Sequence, residues 1–439
     1  MQLQIIDYGS NGEGIAKLDG KVYFVDNALK DEIVEANVTK QKSQFCFCKT
    51  TSIVKQSKYR HNPKCKYFGK CNGCNLMHIQ EQERARVKKQ ITQNTINKIS
   101  KLDLQLNDLV CSKQYNYRNK MVFAVDTNGN LCMHDKDGSL LQVDYCHLAE
   151  DGINELCNII ESFIKKNKIV GYNKITHQGL RYVVVRKLEG KYLIALVSTF
   201  NKIKNIELLV EELKCKGYNF GLFINVNKVK GSIILTDNFI KIYGLDYIEG
   251  EYKTSKNKVI KYPISCLSFL QVNNEIKEKI YKAVEQKLEG SKLVIDAYSG
   301  AGLMTAIVAG VAEQVVGIEI VKEAYDDAEK LKHNNNINNI YNINNDCLVG
   351  FDNVPKELID KDTSIILDPP RKGADQLVLK KVLNISPSKI LYISCNPATL
   401  ARDLVILSEK YDVENITPYD MFACTSDVEV VAELKLKRG

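Results

Sequence analysis

The stretch LVIDAYSGAG at residues 293–302 decides the fold of the C-terminal half of the chain. The apolar run LVID leads into a turn that contains Gly300 and Gly302, and the apolar segment MTAIVAGVA follows as a predicted helix. Further apolar runs, EQVVGIEI, TSIILDPP and KILYISCNP, alternate with helical or loop segments. This alternation predicts a parallel sheet with helices on both of its faces.

The glycine turn also predicts a nucleoside-binding site. Glycines at this place let the backbone approach a ligand closely, and the next strand, VVGIE, ends in Glu319. A carboxylate there can accept hydrogen bonds from both ribose hydroxyls. The turn lacks the third glycine of a dinucleotide-binding loop, so S-adenosylmethionine fits it better than NAD. Asp346, after a third strand, is a candidate contact for the adenine, and a solvated loop acid is the alternative.

Two later segments bring reactive groups to the same edge of the sheet. DPPRKG (368–373) and SCNP both follow apolar strands, so Asp368 and Cys395 should lie where open α/β sheets bind ligands. Arg371 stands where amino-group methyltransferases usually place an aromatic residue, which argues against methylation of adenine N6. An isolated cysteine is usually structural. The edge position instead favours a catalytic thiolate, whose pKa Arg371 or Arg402 would lower.

A cysteine and a carboxylate are the two groups that methylation of uracil C5 requires. Addition of a thiolate to C6 places negative charge on C5, which can then accept a methyl group from a sulfonium. A base must afterwards remove the C5 proton so that the thiol can leave. Glu429, on the strand predicted after Cys395, is the candidate base. The alternative is a surface glutamate beside an apolar run.

These motifs resemble the TrmA/RumA-like family of RNA uracil-C5 methyltransferases over nearly the whole chain. SFLQVN, DAYSGAG, GIE, LDPPRKG and SCNPATLARDL occur in the order that the family has. The resemblance implies that Cys395 is the nucleophile and Glu429 the proton acceptor. The resemblance also implies that S-adenosylmethionine is bound by Gln271, Tyr298, Glu319 and Asp368. The glycine turn and the third strand add Gly300 and Asp346 to the predicted cofactor site.

One segment departs from the family pattern. The family usually has Pro-His-Thr-x-His-Val-Glu before and at its glutamate, whereas this chain has ACTSDVE at residues 423–429. Both histidines are therefore absent, and a role for them in proton relay or RNA contact does not carry over. The glutamate itself is retained.

The expected fold class is a multidomain α/β protein. Residues 1–56 contain several short strand-like runs, which predict a closed barrel, and they resemble the TRAM domain, an OB-like RNA-binding barrel. Residues 57–260 are expected to form a middle α+β domain that holds an iron–sulfur cluster. Its basic helix at 81–100 could pack on the catalytic domain. Residues 261–439 are expected to form a Rossmann-like S-adenosylmethionine-dependent methyltransferase domain.

Fourteen cysteines without a recognisable secretory leader favour metal binding or catalysis over disulfides. Cys65, Cys71 and Cys74 have the spacing C-x5-C-x2-C, which lets one loop wrap one metal centre, and Cys146 could be the fourth ligand. The spacing alone leaves open a [4Fe-4S] cluster and a structural zinc that also uses His78. The family resemblance favours the cluster, held by the four cysteines.

The net charge of +8 permits a polyanionic partner such as RNA. No apolar stretch is long enough for a membrane span, and a cytoplasmic protein with no evident obligate protein partner is expected. Cluster-bearing members of the family mostly act on large-subunit ribosomal RNA, so the resemblance implies 23S rRNA, free or partly assembled, as the substrate. Three alternatives stay open: a tRNA uracil-C5 methyltransferase, an RNA cytosine-C5 methyltransferase, and a non-catalytic RNA-binding assembly factor.

Overall fold

The computed structural model describes residues 1–360 and 362–438. The chain begins with a six-stranded sheet in the order β1-β5-β6-β4-β3-β2. The edge strands β1 and β2 are consecutive in the chain, so their short connection joins the two edges and the sheet closes on itself. Buried residues alternate along its strands and form a small core of their own. The strands are β1 (Gln2–Gln4), β2 (Asp7–Tyr8), β3 (Gly14–Leu18), β4 (Lys21–Asp26), β5 (Ile33–Gln41) and β6 (Phe45–Lys55).

The middle of the chain contains a seven-stranded sheet in the order β13-β12-β11-β10-β7-β8-β9, with helices α2 and α3 packed in its core. A two-stranded ribbon, β14 and β15, leads to the last sheet. The elements are α1 (Glu81–Ser100), β7 (Lys120–Val125), β8 (Leu131–His134), β9 (Leu140–Gln142), α2 (Ile153–Lys166), β10 (Leu180–Leu188), β11 (Lys191–Ser198), α3 (Ile206–Cys215), β12 (Asn219–Val226), β13 (Phe239–Gly244), β14 (Ile248–Lys253) and β15 (Val259–Ile264).

The last sheet has the order β18-β17-β16-β19-β20-β22-β21. Two large hydrophobic cores include residues from its two faces and from the helices around it. The elements are α4 (Asn274–Leu288), β16 (Leu293–Asp296), α5 (Leu303–Val308), β17 (Gln314–Glu319), α6 (Lys322–Asn334), β18 (Ile340–Asn344), α7 (Cys347–Asp352), β19 (Thr363–Leu367), α8 (Gln376–Ile385), β20 (Lys389–Ser394), α9 (Pro397–Leu407), β21 (Tyr411–Tyr419) and β22 (Glu429–Leu436). The predicted mixed α/β class is confirmed, and the domain limits at 56 and 260 stay predictions.

One strand corrects the prediction of a purely parallel sheet. β22 lies between β20 and β21 and is antiparallel to both, whereas β16, β17, β18, β19 and β20 pair in parallel. A short loop from β21 returns the chain into the gap next to β20, so no crossover helix is needed. Because β22 runs the opposite way, its first residue, rather than its last, lies at the carboxyl edge of the parallel strands.

Helix α1 connects the barrel with the C-terminal part of the chain that contains the last sheet, residues 261–439, which is called the catalytic half below. On one side Val87 and Ile91 pack with barrel residues in a shared cluster, and on the other side Ile96 belongs to a core of the last sheet. The helix packs against α9, and the buried ammonium of Lys88 forms an ion pair with Asp420. None of the helices in the described part of the chain is long and apolar enough to cross a membrane.

Candidate active site

A cavity of about 570 Å³ opens at the carboxyl edge of the last sheet. Four of the predicted cofactor residues line it: Gln271, Tyr298, Gly300 and Asp368. Gly300 has a φ of +54°, and a Cβ added there would meet open space. The backbone at this turn therefore presents a bare surface to whatever occupies the cavity.

The two other predicted cofactor residues lie beside the cavity and not in its lining. Glu319 accepts a hydrogen bond from Gly300 N at 2.9 Å with Oε2 and one from Val321 N at 2.7 Å with Oε1. Its carboxylate therefore supports the glycine turn from behind. Asp346 caps α7 by accepting from Leu348 N, so its side chain is engaged in a local helix cap.

Two buried acids face the cavity together. Asp296 ends β16 and accepts a hydrogen bond from the Thr305 hydroxyl at 2.7 Å, and burial raises its pKa to about 6. Burial, and then the neighbouring Asp296, raise the pKa of Asp368 to about 7. The sequence motifs did not single out Asp296, although it directly precedes the glycine turn. Carboxylates that water solvates poorly are suited to a cationic ligand.

A second pocket, a polar cleft of about 310 Å³, lies next to the cavity and contains the Cys395 thiol. Three separate parts of the chain form its walls. The barrel contributes Ser10 and Asn11, α1 contributes Ile91, Thr92 and Thr95, and the catalytic half contributes Arg371, Cys395, Asn396, Pro397, Ala398, Ser426, Asp427 and Val428. The barrel and α1 residues carry no recognisable motif, so sequence reasoning missed them.

Cys395 and Glu429 are brought together by the antiparallel pairing of β20 with β22. Ser394 pairs with Val430 in this ladder. Because the two strands are antiparallel, Cys395, which follows Ser394, lies opposite Glu429, which precedes Val430. Glu429 is only 2 % exposed, whereas Cys395 is half-buried and faces the cleft. The two residues predicted to act as nucleophile and base therefore lie opposite each other, with Cys395 in the lining of the cleft and Glu429 buried beside it.

The charges around this pair act in opposite directions. Burial raises the pKa of Cys395, the carboxylates of Glu429 and Asp368 raise it further, and the guanidinium of Arg371 lowers it. Burial also raises the pKa of Glu429 well above its usual range, again with Asp368 raising and Arg371 lowering it. Arg371 is the cation that favours the charged form of both groups.

Arg402, the other predicted activating cation, has a different place. It pairs with Asp403 and donates to the carbonyls of Lys372 and Ala374. Asn396 donates from Nδ2 to the Arg371 carbonyl at 3.1 Å. These bonds attach the DPPRKG loop to the N-cap and the middle of α9, and so hold the backbone of Arg371 in position near Cys395.

The four predicted metal ligands line a third, largely apolar pocket: Cys65, Cys71, Cys74 and Cys146. Burial raises the pKa of three of these thiols. His78 is not part of the lining, and its buried ring packs 5.0 Å from that of Phe68. Within residues 1–360 and 362–438, no three His, Cys, Asp or Glu side chains are arranged to hold one metal ion.

Comparison with known proteins agrees with this architecture. The TRAM domain model matches residues 2–49, and the model described as tRNA (Uracil-5-)-methyltransferase matches residues 357–437. A relative from Clostridium acetobutylicum, described as an uncharacterized RNA methyltransferase, is 34% identical over 99% of this chain and 96% of its own length. A second, from Halalkalibacterium halodurans and described in the same words, is 32% identical over 100% of this chain and 97% of its own.

The fold is also that of a solved structure. The tRNA (uracil-54, C5)-methyltransferase of Pyrococcus abyssi, crystallised with S-adenosyl-L-homocysteine, superposes with a TM-score of 0.78 at 21% identity, covering 99% of this chain and 100% of that one. The chain is thus a methyltransferase with an N-terminal TRAM barrel. It belongs to the RNA (uracil-5-)-methyltransferase family, and the predicted family is confirmed.

Proposed function

We propose that this protein transfers a methyl group from S-adenosylmethionine to C5 of a uridine in 23S ribosomal RNA. The observation that carries the proposal is that Cys395, which lines the cleft, lies opposite the buried Glu429, one residue beyond the last pair of the β20–β22 ladder. In this assignment the methyl donor occupies the cavity and the target base enters the cleft. The base must leave its stack to do so, as in other enzymes that act on a base.

Cys395 and Glu429 would act in a fixed order. The Cys395 thiolate forms a bond to C6, and the electron pair of the C5–C6 double bond moves onto C5 and the C4 carbonyl. When bound, S-adenosylmethionine supplies a sulfonium methyl group that this carbon attacks. The Glu429 carboxylate then takes the C5 proton, the C5–C6 double bond re-forms, and the bond between sulfur and C6 breaks to return the thiolate.

The cavity suits this donor in charge and in shape. Asp296 and Asp368 provide buried carboxylates for a cation, and the bare backbone at Gly300 leaves room for a closely packed nucleoside. Gln271 and Tyr298 are assigned as further donor contacts in the lining. We assign Glu319 a supporting role through Gly300. Asp346, as the helix cap beside this site, is the weakest of the assigned contacts.

We assign a [4Fe-4S] cluster to the pocket lined by the four cysteines. Four thiolates are the usual ligand set of such a cluster, and the four cysteine side chains surround one largely apolar pocket. His78, the extra zinc ligand considered, is packed against Phe68. When bound, the cluster would supply a structural staple to a segment with little core.

Anaerobic purification followed by iron and sulfide assays tests this assignment. We expect iron and acid-labile sulfide in equal amounts, and their loss in the Cys71→Ser variant. Stoichiometric zinc without sulfide would refute the cluster.

The choice of 23S rRNA rests on the combination of a TRAM barrel with the four-cysteine pocket, which the cluster-bearing branch of the family shares. A tRNA substrate is the second candidate, because the matched family model and the Pyrococcus abyssi enzyme both carry tRNA in their names. Mass mapping of 5-methyluridine in both RNAs, from cells with and without the protein, decides between them. Loss of 5-methyluridine from tRNA with unchanged 23S rRNA would contradict the proposal.

A further inference from the structure

Three phenylalanine rings form a cluster on the outer face of the barrel. Phe24 in β4 pairs with Phe47 in the parallel strand β6, and Phe45 lies two positions before Phe47. The rings of Phe24 and Phe47 are stacked with centroids 5.6 Å apart, and Phe45 meets both edge-on at 5.9 and 5.6 Å. We call these three residues the aromatic platform.

The platform lies outside the cores of the molecule. Along both strands its members alternate with buried residues such as Tyr23 and Cys46, so their side chains point away from the barrel interior. All three are half-buried, and none belongs to a hydrophobic cluster of the described residues. Three large apolar rings side by side on a small domain are a feature that barrel packing does not require.

Lysines border the platform. In the strand register Lys40 of β5 lies opposite Phe47. On the other side of the platform, Val22 of β4 lies between Phe45 and Lys17 of β3. Lys42 donates its backbone N–H to the Phe45 carbonyl at 2.9 Å, and Lys49 follows on β6. Among the residues that the structure describes, none of these four lysines forms a salt bridge. Two acids lie near the same surface, Asp26 opposite Lys49 in the strand register and Glu13 beside Gly9. The lysines nevertheless outnumber these acids around the platform.

The platform adjoins the cleft that contains Cys395. A Cβ added at Gly9 would lie 3.2 Å from a ring carbon of Phe24, so the loop that starts at Gly9 touches the platform. The next two residues, Ser10 and Asn11, line the cleft. The Asn75 amide donates to the Asn11 carbonyl at 2.5 Å and holds this loop in place. A surface thus runs from the Cys395 cleft over one short loop to the three rings.

We propose that the aromatic platform binds unpaired RNA bases that neighbour the target nucleotide, by stacking, while the lysines around it contact the phosphates. Every base has a π-face, so such a surface holds single-stranded RNA with little sequence preference. The proposal rests on the proposed function in that RNA is the substrate. Single-stranded RNA is favoured over a protein partner because the bordering cations complement a chain of phosphates.

A fluorescent base analogue tests the stacking directly. We would bind the full-length protein, without methyl donor, to a short oligouridylate that carries one 2-aminopurine, whose emission is quenched when it stacks. Phe47→Ala should reduce both the quenching and the affinity, the latter about 5- to 150-fold for one lost stacked base. Phe47→Trp should keep both. Val54→Ala, an exposed apolar truncation further along β6, serves as the matched control.

Phe47→Leu distinguishes stacking from packing. Leucine fills most of the same space, so a purely structural role for the ring would leave the quenching and the affinity of this variant normal, and that result would overturn the proposal. Wild-type affinity in Phe47→Ala, or equal losses in Val54→Ala, would overturn it as well. Because no methyl donor is present, normal quenching by a protein that then fails to methylate uridine would support the platform and contradict the proposed function.

Discussion

The cavity and the cleft are neighbours, but they are built in different ways. Apart from Asp237, the cavity is lined by residues between 262 and 393, which belong to β15, the loop after it, and the last sheet with its helices. The cleft is assembled from the barrel, α1 and the catalytic half, which are far apart in the chain. The cavity can therefore exist in the catalytic half alone, whereas the cleft exists only when all three parts are docked. Donor binding and base binding should be separable by mutation.

One loop, DPPRKG, contributes to both pockets. Asp368, at its start, faces the cavity, and Arg371, near its middle, faces the cleft beside Cys395. Two prolines between these residues restrict the backbone. Changes to Cys395, Glu429 or Arg371 should consequently alter the chemistry in the cleft and leave the affinity of the cavity for S-adenosyl-L-homocysteine nearly unchanged.

Replacement of the nucleophile should give the largest effect. Cys395→Ala removes the sulfur atom that adds to C6 in the proposed mechanism, so uridine methylation in vitro and in cells should fall below detection. Calorimetry with S-adenosyl-L-homocysteine should still give wild-type affinity. Cys215→Ala, at an exposed cysteine at the end of α3, is the matched control and should remain fully active. Residual methylation by Cys395→Ala would remove covalent catalysis from the proposal.

Replacement of the base should slow turnover in a recognisable way. Glu429→Gln keeps the size of the side chain but cannot accept the C5 proton, so the methylated base should stay bound to Cys395. Loss of a general base typically costs roughly 10²- to 10⁴-fold in rate. A protein–RNA adduct that survives denaturing electrophoresis is the expected product. Free turnover without an adduct would exclude Glu429 as the proton acceptor.

Replacement of Arg371, the cation beside Cys395 and Glu429, should shift the pH dependence of the methylation rate. In the proposed mechanism methylation needs the thiolate of Cys395 and the carboxylate of Glu429, and Arg371 lowers the pKa of both. In Arg371→Met both pKa values rise, so activity is lost chiefly near neutral pH and recovers in alkaline solution. Lys372→Met, at the exposed neighbour, is the control. Arg371→Lys keeps a positive charge and should restore part of the activity near neutral pH. A uniform loss at every pH in Arg371→Met would assign Arg371 to RNA binding instead.

The difference between the cavity and the cleft also explains which site residues could be predicted from the sequence. Gly300 and Asp368 follow predicted strands, so the sequence alone predicts them at one edge of the sheet, and the family resemblance adds Gln271 and Tyr298; all four line the cavity. Ser10 and Thr95 could not be placed in this way, because they reach the cleft through the packing of α1 between barrel and α9. The direction of β22 was also hidden, since an apolar run looks the same in either direction.

The smallest predicted effect concerns the joint between the cysteine segment and the cleft. The Asn75 amide donates to Ser426 Oγ at 3.0 Å and accepts from Ser426 N at 2.8 Å, and its backbone N–H donates to the Cys424 carbonyl at 3.2 Å. Cys424 has a φ of +68°, which a non-glycine residue keeps only when its surroundings hold it. Asn75 therefore positions the loop that leads to Glu429.

Asn75→Ala removes the side-chain bonds from this loop and from Asn11. Because these bonds act on the position of Glu429 and not on the reacting atoms, we expect only part of their free energy to appear in the barrier. A decrease in kcat of roughly tenfold, equivalent to about 1.4 kcal/mol, should come with an unchanged affinity for S-adenosyl-L-homocysteine and a longer-lived RNA adduct. Asn72→Ala, a change in the same cysteine segment at an exposed residue, should behave as wild type. If Asn75→Ala instead lowered the affinity of the cavity, the two pockets would be coupled, and the contrast between them would not hold.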